Sequence, residues 1–292
     1  MVYVPAGPFK FGESEMRELP AFCMGRFEVT NAEYKAFIEA TGHRGVPRYW
    51  QKGQYPDGKG NHPVLFVSLD DAEAYCAWVK KETGWKVMVP SAEQWEKAAR
   101  GPQGFLYPWG NEKDSSYAGH ELKTHFNYNA VCAAWVLEHE GKTTTRYVSK
   151  SQESGKEGRV EDITTSDGKV FEVTRDGNVT GWIDHHTNTG FVNTQIYRDM
   201  VDQGGFTTAV GSYENGKSHY GCYDMAGNAY EWTTTVIMAT NGAERGQPVN
   251  DVRGGSWYST GRSGQTLSTG EGRNRHGGYH SVGFRIAMEM AE

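Results

Sequence analysis

Every strong helix signal in this sequence falls before residue 102, so the rest of the chain is expected to be strand and loop. In Thr30-Asn31-Ala32-Glu33, the threonine can cap the first amides while the glutamate reaches back to the cap. Tyr34, Phe37, Ile38 and Thr41 follow at helical spacing, and Gly42 ends the helix. Ser68 precedes Leu69-Asp70-Asp71, acids that suit a helix N-terminus. Ala72, Tyr75, Cys76 and Val79 form the apolar stripe of that second helix, and Gly84 terminates it. Ser91-Ala92-Glu93-Gln94 is another capping box; it opens a third helix that carries Trp95, Ala98 and Ala99 and stops at Gly101.

Around these helices the pattern is one of short strands. Val2-Tyr3-Val4 and Phe9-Lys10-Phe11 flank the turn Pro5-Ala6-Gly7-Pro8, and Phe22 to Val29 reads as a second strand region. Val87 to Pro90 is a further short strand. Residues 112–205 are polar, with strand-like alternation over 160–164 and 170–174 and the turn Ser166-Asp167-Gly168 between them. The 37 glycines imply many positive-φ positions, hence turns and irregular loops. The 9 tryptophans give such a loop-rich chain enough apolar area to pack. At 292 residues, a compact fold buries roughly three quarters of the surface its unfolded chain exposes.

Charge narrows the function classes. The net charge is −6 and no Lys/Arg-rich run is present, which disfavours nucleic acid as a partner. No apolar run approaches the roughly 20 residues that span a bilayer. The N-terminus has neither a basic nor an apolar leader region, as in a cytoplasmic protein or a surface-associated one whose leader is gone. None of Cys23, Cys76, Cys132 and Cys222 lies in a CxxC pair, and each sits among apolar or aromatic neighbours. Four buried thiols are expected rather than disulfides or a zinc site.

Several strings then occur in a fixed order. They are Pro5-Ala6-Gly7 with Phe9 and Phe11-Gly12, then Phe27-Glu28-Val29-Thr30-Asn31 with Tyr34, and His62-Pro63-Val64. Val89-Pro90-Ser91-Ala92-Glu93-Gln94-Trp95-Glu96 and Tyr107-Pro108-Trp109-Gly110-Asn111 come next. Tyr220 to Trp232, Arg253-Gly254-Gly255-Ser256-Trp257 and Gly283-Phe284-Arg285 complete the set. This order resembles the sulfatase-modifying-factor, or formylglycine-generating-enzyme, family from the first residues to about Ala287. The resemblance implies one α+β domain over 1–292, of irregular C-type-lectin-like type. It would have short antiparallel strands, about three helices and many loops, with a polar β-hairpin insertion at about 130–203. Arg253 to Trp257 would be a strand running into a glycine-rich turn. Gly283 to Ile286 would be a central closing strand, and the loop between these two motifs would face the ligand side.

The family's oxidase members carry two cysteines shortly after the Gly-Gly-Ser motif, where they bind copper and activate oxygen. The matching positions here are Ser259 and Gly264, neither of which supplies a thiolate, so no copper site and no formylglycine generation are expected. Other members are iron oxygenases whose histidines come largely from a separate helical domain. The histidines at hand, His185, His186, His276 and His280, are expected to be exposed and unliganded. The resemblance also implies a structural Ca²⁺ held by Asp224, the carbonyls of Gly227 and Ala229, and Glu231. The alternative is a turn in which Asp224 caps local amides and Glu231 meets a basic residue. A second family calcium position would use an Asn near Asn127 or Asn129 and an acid two residues before Phe206. Residue 204 is glycine and Asp202 lies four back, so that second position lacks its acid.

Between Trp257 and Gly283 the content is almost free of apolar residues and rich in Tyr, Ser, Gly, Thr, Arg, His and Asn, the palette of antibody-like paratopes. Fixed ends around such a middle resemble the variable proteins of diversity-generating retroelements, which use the same fold. The expected ligand contacts are Tyr258, Ser259, Arg262, Arg273, Asn274, Arg275, His276, Tyr279 and His280, with Tyr258, Arg275 and Tyr279 as anchors. The partner expected is a protein or surface ligand. Three readings follow: a non-catalytic display protein, a metal-dependent oxidase or oxygenase using a non-cysteine site, and a structural accessory domain.

Overall fold

The computed structural model describes residues 1–112, 202–205, 207–240, 244–257, 267–268 and 270–290, together with the backbone of three strands within 141–173. In chain order the elements are β1 (Val2–Val4), β2 (Gly7–Phe11), β3 (Glu15–Leu19), β4 (Phe22–Met24), α1 (Asn31–Thr41), α2 (Leu69–Thr83), β5 (Val87–Met88) and α3 (Ala92–Arg100). Then come β6 (Gly141–Ser149), β7 (Glu157–Thr165), β8 (Val170–Val173), β9 (Tyr230–Met238), β10 (Pro248–Arg253), β11 (Glu271–Arg273), β12 (Val282–Gly283) and β13 (Ala287–Glu289).

All three helices begin where their chemistry dictates. Thr30, Ser68 and Ser91 each accept the amide of the third helical residue, and Glu33, Asp71 and Gln94 return the bond to the cap backbone. Gly42 and Gly84 close α1 and α2 in the left-handed conformation. Asp71 in this role makes the α2 start a full capping box, beyond the acidic first turn that the residue types suggest.

Two four-stranded sheets organise the rest, in the orders β1-β4-β13-β5 and β11-β10-β9-β12. The first brings both chain ends together, since Val2–Val4 pairs with Phe22–Met24, which pairs in turn with Ala287–Glu289. In the second, β12 runs parallel to β9 and β10 pairs with both β9 and β11. The central closing strand is therefore β13, not Gly283 to Ile286. Only Gly283 of that stretch is paired, and Phe284 to Ile286 crosses from one sheet to the other. Likewise the Phe22 strand stops at Met24, and Gly25 to Val29 runs irregularly, its amides bonding Ile286 and Phe284. The strands β6, β7 and β8 form a separate antiparallel sheet, with Ile163 opposite Phe171.

Two apolar clusters fill the fold. One joins Tyr34 and Phe37 of α1 and Tyr75 of α2 to Val64–Val67, Trp232, Trp257 and Phe284. The other joins Trp95, Ala98 and Ala99 of α3 to Val4, Phe22, Met24, Cys222 and Met225. Cys76 and Cys222 are buried thiols, as their neighbours suggest. Cys23 is only half-buried, because it sits on the outer face of its strand. Cys132 lies outside the described residues. Among the described residues no helix is long and apolar enough to cross a membrane.

Candidate functional site

The segment Asp224 to Ala229 leads into β9 and is clipped to the glycine-rich turn after β10. The Gly227 amide donates to the Gly254 carbonyl at 2.8 Å, and the Trp257 amide donates to the Asn228 carbonyl at 2.9 Å. Asp224 and Asn228 hold φ of 54° and 60°, the left-handed region that Asp and Asn enter more readily than bulkier side chains. Gly254 has φ 95°, and a Cβ there would come within 3.0 Å of the Trp95 ring and 3.2 Å of the Met225 carbonyl. Glycine is required at this position on both counts.

Beneath the clip lie three carboxylates and one guanidinium, all 4% exposed or less: Glu28, Asp224, Glu231 and Arg285. Arg285 donates to Glu231 from Nε at 2.5 Å and from Nη2 at 2.6 Å, and Trp95 Nε1 donates to the same carboxylate at 2.7 Å. Glu28 accepts from Asn228 Nδ2 at 2.7 Å and from the Ala229 amide at 2.9 Å. Asp224 Oδ2 accepts from the Gly211 amide at 2.7 Å. Burial raises the Glu28 carboxyl well above its usual range, reinforced by the Asp224 and Glu231 charges. Burial likewise pushes Asp224 up to about 6, against the Gly211 amide and Arg285. Burial works against the charged Arg285, but the Glu231 charge and hydrogen bonds outweigh it and hold the guanidinium protonated.

The geometry thus contains the alternative expected for this loop, an acid on a local amide and a glutamate on a basic residue. It also contains more. Among the described residues, Asp224 Oδ1 is buried with no hydrogen-bond partner. A hard oxygen left open has the chemistry of a divalent-cation ligand, but among the described residues no three His, Cys, Asp or Glu side chains form a group that could hold a metal ion. At residue 204, where the second calcium position would need an acid, φ is 78° and a Cβ would lie 2.6 Å from the Tyr49 ring. That position cannot carry one.

The last loop divides differently from its residue types. Tyr258, Ser259, Arg262 and Gly264 lie outside the described residues, as do His185 and His186. Arg275 donates to Asp70 and Glu73 of α2, and its carbonyl accepts from the Leu69 amide at 2.9 Å. His276 is exposed and pairs with the other oxygen of Asp70. Arg273 pairs with Glu271 at 2.6 Å and lies over the Tyr230 and Tyr279 rings. Tyr279 is half-buried against the larger apolar cluster, and its hydroxyl accepts from the Asn274 amide at 3.1 Å.

His280 departs from the expectation of an exposed ring. It is half-buried, its ring lies 5.9 Å from that of Trp257, and burial with the Arg48 and Arg273 charges lowers it to about 4. The loop end is therefore fastened to α2 and to the core, with Asn274 and His276 its exposed members. Residue types missed Glu28, Arg285 and Asp70 as parts of this architecture. Glu28 and Arg285 do stand inside the ordered strings, which was the available signal.

Known proteins resemble this chain in sequence and in fold. The description "Sulfatase-modifying factor enzyme 1-like domain" matches residues 1–176 and 172–290. Mouse formylglycine-generating enzyme is 30% identical over 165 residues, 38% of this chain and 43% of that protein. Hercynine oxygenase of Mycolicibacterium smegmatis is 28% identical over 155 residues, 39% of this chain and 36% of that protein. The chain thus spans less than half the length of either relative. Among solved structures, PvdO from Pseudomonas aeruginosa superposes with a TM-score of 0.58 at 22% identity, covering 99% of this chain and 93% of PvdO. Treponema denticola variable protein 1 superposes with a TM-score of 0.54 at 15% identity, covering 99% of this chain and 95% of that one. At these identities the two superpositions establish a shared fold. By the match along nearly its whole length, the chain belongs to the sulfatase-modifying factor enzyme 1-like family.

Proposed function

We propose that this chain is a non-catalytic ligand-binding protein whose last loop, between Trp257 and Gly283, forms the binding surface. The observation that carries the reading is the pair Ser259 and Gly264 at the positions of the family's copper-binding cysteines. Without thiolates there is no soft ligand set for Cu(I). The loop's Tyr/Ser/Gly/Arg content supports the same reading, as does the fold shared with Treponema denticola variable protein 1. Its ends are anchored by groups outside the contact set: Trp257 and Phe284 are buried, and Asp70 holds Arg275. In this reading Arg275 acts first as a fastener of the loop, and contact falls to Asn274, His276 and the residues from Tyr258 to Arg262. Diversification by a retroelement predicts a reverse-transcriptase gene and a near-copy of the loop's DNA beside this gene.

Calcium is the cofactor proposed. Asp224, the Gly227 and Ala229 carbonyls and Glu231 would hold it, and it would supply charge balance and rigidity under the Gly254 turn. Asp224 Oδ1 is the supporting observation.

The test is to incubate the chain with a sulfatase-type cysteine peptide, Cu(I) and oxygen. No aldehyde is expected, and stoichiometric conversion overturns the non-catalytic reading. The similarity to hercynine oxygenase favours a second reading, iron-dependent oxygenation at a non-cysteine site. Iron retained stoichiometrically through purification, with oxygen uptake on thiol addition, would replace the first reading with this one.

A further inference from the structure

Lys59 sits in the loop between α1 and α2, and its backbone is fixed from both sides. Its amide donates to the Pro56 carbonyl at 3.0 Å, and its carbonyl accepts from Asn31 Nδ2 at 2.9 Å and from the His62 amide at 3.1 Å. Among the described residues its side chain has no carboxylate partner. The ammonium donates to the Gly205 carbonyl at 3.1 Å, the Thr207 carbonyl at 3.2 Å and Thr207 Oγ1 at 3.3 Å, with His62 Nδ1 a fourth contact at 3.4 Å. An ammonium has three protons and no acceptor, and His62 Nδ1 also lies 3.0 Å from Thr207 Oγ1, so ring, hydroxyl and ammonium form one cluster. Burial and the Lys59 charge keep the ring neutral by lowering it to about 4. Burial also lowers Lys59, to about 8, which still leaves it charged at neutral pH.

Lys59 is half-buried, and a lysine drawn partly out of water ordinarily gains an acidic partner, because desolvating the ion is costly. Here neutral oxygens take that place, in the manner of the donors that line a cation site. Among the described residues Lys97 also donates to neutral oxygens, with the Glu18 charge nearby. Lys97, 1% exposed, donates to the carbonyls of Pro5 and Gly7 at 2.7 and 2.9 Å and so pins the β1–β2 turn.

What the Lys59 cage holds is not a turn between neighbours but a segment 146 residues away in sequence. Gly204 and Gly205 both have positive φ, and both lie flat against aromatic rings. A Cβ on Gly204 would come 2.6 Å from Tyr49, and one on Gly205 would come 2.5 Å from Trp257. Trp257 also meets His280, whose carbonyl accepts from Trp257 Nε1 at 3.1 Å.

We infer that Gly205, Thr207 and His62 form a site for a primary ammonium, filled by Lys59, and that through it Lys59 positions Gly205 against Trp257 at the root of the last loop. The inference does not depend on what the loop binds. Lys59 is a positioning residue here, acting on the loop only through Gly205 and the Trp257 ring.

The test is chemical rescue. Lys59→Ala removes the ammonium and leaves the oxygens; its melting temperature is expected to fall and to rise saturably with ethylammonium chloride. Tetramethylammonium or sodium chloride at equal ionic strength should not restore it. Lys59→Met fills the stem volume without donors and is expected to stay destabilised in every salt. A Lys59→Met protein that melts with the wild type, or ethylammonium raising wild type and Lys59→Ala equally, overturns the site. If Lys59→Ala does not fold alone, refolding it with and without ethylammonium reads the same rescue. The positioning role has its own readout, the ¹⁹F resonance of 5-fluorotryptophan at Trp257, assigned with Trp257→Phe. That resonance is expected to move in Lys59→Met while that of Trp232 does not; an unmoved Trp257 resonance overturns the positioning role.

Discussion

Arg275 of the last loop grips Asp70 in the first turn of α2, with Nε at 2.9 Å and Nη2 at 2.7 Å from the same carboxylate oxygen. Asp70 thereby serves two elements. It complements the amino end of α2, and it holds the stretch in which the ligand contacts were expected. His276 takes its second oxygen, so Asp70, with Glu73 also on Arg275, fastens the end of the loop to α2.

Both partners of that grip are 40% exposed or more, so Arg275→Ala is expected to cost no more than about 1 kcal/mol, less in high salt. Replacing Asn274 and His276 together should stay within about 0.5 kcal/mol each. Trp257→Ala or Phe284→Ala, both fully buried, should instead cost about 3–5 kcal/mol. Urea unfolding of these variants in low and high salt checks the ordering. Loop variants as damaging as the two core variants would place the loop residues inside the fold and end the display reading.

Arg285→Leu should be far more damaging than Arg275→Ala. It strands Glu231 and leaves the buried cluster of Glu28, Asp224 and Glu231 without its cation. Breaking a buried pair by removing one partner costs about 3–5 kcal/mol, which denaturant midpoints will show at an unchanged slope.

Calcium should raise the melting temperature and a chelator should lower it, because a ligand that binds only the native state stabilises by mass action. Asp224→Gly is the variant to compare. It suits the φ of 54° and removes the open oxygen while leaving the Glu231–Arg285 pair in place. Its melting should no longer respond to either reagent. A wild-type protein indifferent to both would remove calcium from the account.

His280 should make the fold sensitive to mild acid. Its folded value, about 4, lies below the ordinary 6.5, so the unfolded chain takes the proton first as pH falls. Its contribution is intact above about pH 6.5 and is lost progressively toward pH 4. Melting curves of wild type and His280→Gln should therefore converge or cross on going from pH 7 to pH 4, with the wild type losing more. Parallel curves would mean that the ring is solvated.

The sequence by itself determined the local and the ordered parts of this protein. The helix starts at Thr30, Ser68 and Ser91 and the stops at Gly42, Gly84 and Gly101 depend on interactions within a few residues, so they are legible from residue types. The string order from Pro5 to Arg285 carried the family, and with it the α+β architecture. Only the tertiary structure decided who meets whom. Glu28 and Asn228 are 200 residues apart, and Arg275 and Asp70 are 205 apart. No periodicity links such pairs; they meet because β12 and β13 return the C-terminus through both sheets. The same return buries half of His280 and hands Arg275 to α2, so residues that read as free loop became fasteners. Nothing in the sequence around Lys59 signals its partners, for the same reason. Its oxygens come from Gly205 and Thr207, and the packing of Gly204 and Gly205 against Tyr49 and Trp257 accompanies that approach.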